Sequence, residues 1–423
     1  MGYFLTLLYV AMIFLRPQEF ITDMQGWPII DVLAALSVAA VFLEGSFQAD
    51  KFRRSVLNKL VLTFWGCLIL SQIANLWFGG AVNTIQIFGK VIVVYFLIVL
   101  TVDTWPKVRL FTWMLVWMAL FLAANSVYMY YTGAGLVGGE ALMRSDITGE
   151  TAVLQARGIG IFADPNDMAL NMVPMVAFLL PTFHRHFLSR SWLPGVILLV
   201  PMVAGIAYTR SRGGILGLAA VSWFYLQKRV GTLAGVFGLL LVLSFLMAIP
   251  RMGEISTQET SARSRLDHWS YGLDLFKSNP LFGVGMGRFT ERYHHTAHNS
   301  FILVIAEAGF LGGFVWVAMF WAAFRDIDAL RRDERAPPSL ESALDAIQGA
   351  LMGWLVCAFF LSQAYKFLSF LILGLLVAVM NAMAREGISV ASGWRGRDTF
   401  ITGAVTAGGI VFMHLALRVL WHL

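Results

Sequence analysis

The sequence predicts an all-α, polytopic integral membrane protein with about twelve (twelve or thirteen) transmembrane helices and one large loop. Three observations predict this class. Of the 423 residues, 58% are AVILMFWYC and only 13% are charged, against about 25% charged in ordinary soluble proteins. Apolar runs near the roughly 20 residues that cross a bilayer recur along the whole chain. Lys and Arg collect in alternate connecting segments, the signature of fixed sidedness. A soluble globular enzyme is thereby excluded, and no room remains for a separate soluble domain of ordinary size. Disorder is excluded as well, because 14% of the residues are aromatic and charges are few. The chain reads as a single transmembrane domain, 1–423, with 250–298 inserted between helices as the large loop.

In order, the apolar runs lie near 3–15, 29–45, 57–78, 85–102, 108–131, 167–183, 192–208, 213–227, 231–249, 299–324, 343–362, 367–384 and 400–421. Charged or Gly/Pro breaks separate them. The first is short for a crossing, and 343–362 lies only a few residues from 367–384, so twelve and thirteen crossings both stand. Met1 to Leu15 lacks a basic leader and a small-residue cleavage site, so a retained first helix is expected there. Cys67 and Cys357 both sit in apolar stretches, which indicates neither a disulfide framework nor a cysteine metal site.

Placing the N-terminus inside puts Lys51, Arg53, Arg54, Lys59, Lys107, Arg109, Arg185, Arg190, Lys228, Arg229, Arg325, Arg331, Arg332, Arg335, Arg385, Arg395 and Arg397 on the inner side. The short outer loops at 16–28, 79–84 and 363–366 then hold only Arg16 and Lys366. The formal net charge of +6 is accordingly ascribed to inner loops, and no nucleic-acid partner is expected. Two outer segments break the pattern. One is 132–166. The other, 250–298, carries Arg251, Arg263, Arg265, Lys277, Arg288 and Arg292, with His268, His294, His295 and His298 close by.

Four stretches could carry chemistry. Thr209-Arg210-Ser211-Arg212-Gly213-Gly214 places two arginines in a very short outer turn. A helix starting there would point free backbone N–H groups outward, and the guanidinium fork suits phosphate oxygens. The alternative is that both arginines snorkel to lipid headgroups. Next, Arg263 and Arg265 precede an amphipathic helix expected over 264–277, with Leu266, Trp269, Leu273 and Phe276 at helical spacing and Pro280 as its stop. Such a helix is expected along the membrane surface. Gly283-Val-Gly285-Met-Gly287-Arg288 follows as a tight turn that could present amides and Arg288 to an anion, although a glycine run also fits a plain turn. His294-His295-Thr-Ala-His298-Asn299-Ser300 then reaches the next helix, where His298 could accept a proton near neutral pH. His294 and Asn299 are possible supports, and a helix-capping role is the bland alternative. A zinc site on these histidines ranks below the base reading, because Asp and Glu are sparse nearby and Glu307 lies too far along. No metal and no cofactor is therefore expected.

Two further stretches read as structural. Asp164 or Asn166, in Phe162-Ala-Asp-Pro-Asn-Asp167, is a good helix N-cap. Asp326-x-Asp328 falls on the inner side beside Arg325 and Arg331, where a solvated face explains it.

Cationic groups without carboxylates suit an anionic substrate that needs no divalent metal, and a lipid-linked diphosphate sugar fits. Arginines would stabilise the charge developing on the diphosphate, and His298 would deprotonate the attacking hydroxyl. Direct displacement would invert the anomeric carbon. Taken together, Thr209-Arg-Ser-Arg-Gly-Gly214, Arg265…Trp269…Asn279-Pro-Leu…Gly283-x-Gly-x-Gly-Arg288-Phe, His298-Asn-Ser-Phe-x-Leu and Glu307-x-Gly309 resemble the O-antigen ligase family. Its superfamily also holds O-antigen polymerases and bacterial protein O-glycosyltransferases. The resemblance covers about 162–312, Phe162–Asp167 included.

The resemblance implies a GT-C-like glycosyltransferase of the bacterial inner membrane, multi-pass, with a periplasmic catalytic loop that falls on 250–298. It implies transfer of O-antigen polysaccharide from an undecaprenyl-diphosphate-linked donor to a lipid A-core acceptor, without metal, among membrane lipids. It places the catalytic histidine on His298. The diphosphate-binding arginines fall on Arg210 or Arg212, Arg265 and Arg288, with Arg263 as a possible support. A polymerase or a protein O-oligosaccharyltransferase shares the donor chemistry. A transporter or flippase is the rival from another class, but it calls for charges at mid-depth, where Lys90 is the clearest candidate.

Overall fold

In the computed structural model the described residues are 1–137, 139–145, 152–158, 162–183, 193–233, 235–236, 260–388 and 392–421. The helices are α1 (Gly2–Leu15), α2 (Ile29–Leu43), α3 (Ala49–Arg53), α4 (Val56–Ala74), α5 (Phe78–Thr101), α6 (Trp105–Thr132), α7 (Pro165–Leu179), α8 (Leu193–Thr209), α9 (Arg212–Val230), α10 (Thr260–Ser278), α11 (Arg288–Arg292), α12 (Ser300–Arg331), α13 (Pro338–Ala358), α14 (Phe367–Arg385) and α15 (Gly396–Trp421). Among the described residues, strand β1 (Leu142–Ser145) pairs antiparallel with β2 (Ala152–Gln155), Leu142 opposite Gln155.

Among the described residues, six helices are long and apolar enough to cross a membrane: Val56–Ala74, Phe78–Thr101, Trp105–Thr132, Ser300–Arg331, Phe367–Arg385 and Gly396–Leu420. Ile29–Leu43 and Gly195–Thr209 are apolar but shorter. Most of the apolar run expected near 231–249 (residues 234 and 237–249) lies outside the described residues, as do Arg185, Arg190 and Arg251.

One expected break moves. The segment 79–84, read as an outer loop, is already helical, and the turn sits at Asn75–Trp77 instead. Leu76 takes φ 57° there. The Trp77 ring lies over Gly80, where an added Cβ would stand 2.3 Å from its Cε3. Gly80 thus serves a close approach inside the first turn rather than a helix stop.

The chain forms two compact units. The first comprises Met1–Phe47, Leu97–Met252 and Asp333–Cys357. Its helices approach closely at glycines. A Cβ on Gly205 in α8 would meet Ala123 of α6 at 2.9 Å, and one on Gly214 in α9 would meet Ala169 of α7 at 2.4 Å. One on Gly217 would meet the Cys357 sulfur of α13 at 2.3 Å. Small residues at crossings are how membrane helices gain van der Waals contact when no hydrophobic drive separates protein from lipid.

The second unit comprises Gln48–Phe96, Gly253–Arg332 and Ala358–Leu423. Of its helices, α14 is largely buried and α15 is largely exposed. At one end, Asp326 accepts from Ser392 Oγ at 2.5 Å and pairs with Arg325 at 2.9 Å, while Arg325 reaches Asp398 at 2.7 Å. Asp326 is therefore part of a buried ion network rather than a solvated carboxylate pair with Asp328.

Candidate functional site

The second unit carries most of the residues singled out in the sequence, and they are placed by three elements: α10, the Gly283–Arg288 turn and the start of α12. Helix α10 is amphipathic as expected, and it begins at Thr260 rather than 264. Leu266, Trp269, Leu273 and Phe276 all pack into one apolar cluster with Phe289, Ile302 and Ile305. That burial fixes the rotation of α10, and with it the direction of His268, one residue before Trp269.

The turn and α12 are built as one piece. Helix α12 breaks at Gly309 (φ 66°, ψ −165°). The break frees the carbonyls of Ala306 and Glu307 and the amides of Phe310 and Leu311, which a continuous helix would pair with each other. The chain at 280–285 takes up all four. Phe310 N donates to Pro280 O at 2.8 Å and Leu311 N to Leu281 O at 3.3 Å, while Val284 N and Gly285 N donate to Ala306 O and Glu307 O, each at 2.9 Å. Side chains are excluded from this seam. A Cβ on Gly283 would stand 2.3 Å from Glu307 C, and one on Gly309 would stand 2.4 Å from Leu281 O.

Glu307 completes the clamp. It is 2% exposed. Its Oε1 accepts from Phe289 N at 3.0 Å, its side chain also takes the Gly287 amide, and its carbonyl accepts from Ser71 Oγ at 2.6 Å. From α4, Gln72 Nε2 donates to Met286 O and Asn75 Nδ2 to Gly283 O, both at 2.8 Å. Outside the membrane-crossing helices, Tyr365 sits by the same carboxylate. Burial first, and then the Glu307 charge, push its phenol well above the ordinary range. Several amides of the glycine turn are therefore spent on protein acceptors, and what the turn presents is the Arg288 side chain. Arg288 lies over the Trp77 ring at 5.1 Å, with Glu291 at 3.7 Å from its Nε.

His298 precedes the N-cap of α12. Asn299 is that cap, its Oδ1 accepting from Ile302 N at 3.0 Å. His298 itself is wound into the left-handed region (φ 48°), as is His294 (φ 24°). Apart from Gly, it is Asn, Asp and His that adopt this conformation most often, and strained backbone of this kind clusters at functional sites. The His298 ring is half-buried and stacks on His268, centroids 5.5 Å apart and planes 30° apart. His295 lies 5.5 Å from His268, and Tyr293 meets it edge-on at 5.3 Å. Burial first, then the neighbouring His295, lower the His268 imidazole below its ordinary value, with Arg265 adding to the effect and Asp267 opposing it. Arg265 thus lies within electrostatic reach of the histidine stack. Arg263 and His294 are exposed. Among the described residues, no group of three or more His, Cys, Asp or Glu side chains is arranged to hold a metal ion.

Arg210 and Arg212 belong to the first unit. Ser211 caps α9, accepting from Gly214 N at 3.2 Å, and its hydroxyl donates to Asn166 Oδ1 at 2.7 Å. Asp164 in turn caps α7, accepting from Asn166 N at 2.7 Å. The two motifs, distant in sequence, form one structure. Arg210 (φ 51°) donates to the Tyr130 hydroxyl at 3.3 Å, and Tyr130 stacks on Tyr208 at 4.2 Å. Arg212, read from the sequence as part of the turn, is the first residue of α9.

His268 is the residue the sequence alone leaves unassigned. Its signal is the three-residue spacing from Arg265 on one helix face, which gains meaning only once the loop at 293–298 folds back onto that face.

Apolar helices long enough to cross a membrane define a polytopic membrane protein; its second unit carries the histidine stack and the clamped Arg288, and its first unit carries the capped arginine turn. Residues 197–317 match the O-antigen ligase family model. The matched stretch contains the Arg210–Gly214 turn, α10, the Gly283–Arg288 clamp, His298 and Gly309, so the resemblance expected from these motifs is borne out there. Phe162–Asp167 lies ahead of it. That family is a glycosyltransferase-like ligase and polymerase family, so the match supports a transferase activity in general terms. No curated protein matches the chain.

Proposed function

We propose that the protein is an O-antigen ligase. In this reading it transfers O-antigen polysaccharide from undecaprenyl diphosphate to the lipid A-core oligosaccharide, at the periplasmic face of the bacterial inner membrane. The fold would be GT-C-like, with about twelve spans and 250–298 as its periplasmic catalytic loop. The observation that carries the reading is the His298 stack beside Arg265, inside the stretch that matches the family.

His298 is the general base. It takes the proton of the acceptor hydroxyl as that oxygen attacks the anomeric carbon from the side opposite the diphosphate, and the configuration inverts. Arg265 and Arg288 stabilise the charge that develops on the departing diphosphate. Arg210 and Arg212 take the same role on the strength of their family motif, with Arg263, His294 and Asn299 in support. A diphosphate is already a good leaving group, so guanidinium charge supplies what a divalent metal would.

A polymerase of the same superfamily shares every donor step and differs in acceptor. Deletion in the native cell separates the two. Loss of a ligase leaves polymer accumulating on the lipid carrier. Loss of a polymerase leaves lipid A-core bearing a single repeat unit, and that result would overturn the ligase reading. Transfer to a protein acceptor would leave lipopolysaccharide unchanged.

A further inference from the structure

We infer that His268 is the positioning residue of the site: its buried ring is the platform that holds the His298 imidazole in working orientation. The inference rests on the reading of His298 as the base. His268 is 4% exposed, and its helix is locked by the cluster around Leu266, Trp269 and Leu273. The backbone at His298 is in the left-handed region, and ring contacts with α10 hold the loop that carries it. The His298 and His268 ring centroids lie 5.5 Å apart with planes 30° apart, and His295 stands 5.5 Å from His268 with planes 31° apart. Tyr293 stacks on Tyr271 of α10 at 4.6 Å and meets His268 edge-on at 5.3 Å, so four ring pairs pin the loop to the helix. Thr296 Oγ1 donates to Ser362 Oγ at 2.6 Å and fixes the loop from a third side.

In this inference His268 works by packing and not by passing a proton. Its Nε2 lies 3.3 Å from Ser264 Oγ, and its buried Nδ1 has no hydrogen-bond partner among the described residues. The charged and titratable groups around it are Arg265 and Asp267 on its own helix, and Tyr293, His295 and His298 on the facing loop. An orphaned buried nitrogen is a cost to folding. Phenylalanine at this position would keep the face and remove the orphan.

The test uses the full-length protein in lipid nanodiscs, with lipid-linked O-antigen and lipid A-core as substrates. His268→Ala is expected to lower kcat about 30-fold, the scale of a small misplacement of a reacting group. The donor KM should stay within about threefold, because ground-state binding is untouched. His268→Phe should restore kcat to within about threefold of wild type. Carbethoxylation of His298 by diethyl pyrocarbonate, read by peptide mass spectrometry, should be faster in His268→Ala and normal in His268→Phe. Unchanged kcat and unchanged His298 modification in His268→Ala would overturn the inference. So would a His268→Phe protein as inactive as His298→Ala, since a nitrogen of His268 would then do chemistry. If His298→Ala transfers at the wild-type rate, the base reading fails and the modification rate alone decides the stack. If His268→Ala aggregates, His268→Gln replaces it as the ringless variant, with the same loss expected.

Discussion

At the scale of single residues, the site depends on side chains whose surroundings set their protonation and direction. His268 has an acid-side consequence. Its folded-state imidazole is held below the ordinary 6.5 by burial and then by His295. The unfolded chain therefore binds the proton more readily, and stability from the neutral ring is full above 6.5 and lost as pH falls toward the folded-state value. The thermal midpoint of the purified protein should drop between about pH 7.5 and about pH 5.5, and His268→Phe should flatten that slope. Equal slopes in both proteins would contradict the assignment.

Glu307 makes a second prediction. Glu307→Ala leaves the Gly287 and Phe289 amides without their acceptor, so Arg288 loses its support. The donor KM should rise about tenfold, whereas Glu307→Gln, which keeps an acceptor oxygen, should remain near wild type. Steady-state kinetics with varied donor decides it, and an unchanged KM in Glu307→Ala would remove the clamp's role. The type of these residues was legible in the sequence: His298, Arg265 and Arg288 stood out because charge on a translocated loop needs a reason. Their partners were not. Neither the His268 platform nor the Trp77 ring under Arg288 follows from spacing, since both depend on segments far apart in the chain.

At the scale of elements, the seam between 280–285 and the broken helix α12 carries the account. Periodicity predicted a continuous apolar span over 299–324, and the helix Ser300–Arg331 answers to it. The break at Gly309 was hidden because glycine inside an apolar run is common in membrane helices. The glycines at 283, 285 and 287 were legible as a turn. Their use was not, because an anion cradle and a docking seam call for the same residues. In hydrocarbon, freed backbone groups must be paired within the protein, and the four bonds of the seam meet that demand. Gly309→Ala places a Cβ at φ 66° and 2.4 Å from Leu281 O. It should destabilise the protein by about 2 kcal/mol or more, read as a lower thermal midpoint in detergent. An unaltered midpoint would mean the seam contributes little. The amphipathic α10 illustrates the reverse case: its apolar stripe was legible from spacing, but the same pattern serves a membrane surface and a protein core, and here it packs into the cluster with Phe289 and Ile302.

At the scale of the whole molecule, composition and hydropathy were enough to define a helical membrane protein, because a run of roughly 20 apolar residues has few other fates. The β1–β2 pair escaped notice, since its two strands of four residues carry too short an alternation to register. Sidedness follows from Lys and Arg and is testable directly. In a protein lacking Cys67 and Cys357, a membrane-impermeant maleimide should label Thr290→Cys from the periplasmic side and should not label Ala336→Cys. The opposite pattern would place His298 in the cytosol and end the proposed function. The central claim, that His298 deprotonates the acceptor while arginines carry the diphosphate charge, has one direct measurement. Purified protein is mixed with lipid-linked O-antigen and lipid A-core in EDTA, and the joined product is quantified for wild type and His298→Ala. The account predicts product from wild type and a loss of at least about 100-fold in the variant; wild-type yield from His298→Ala would contradict it.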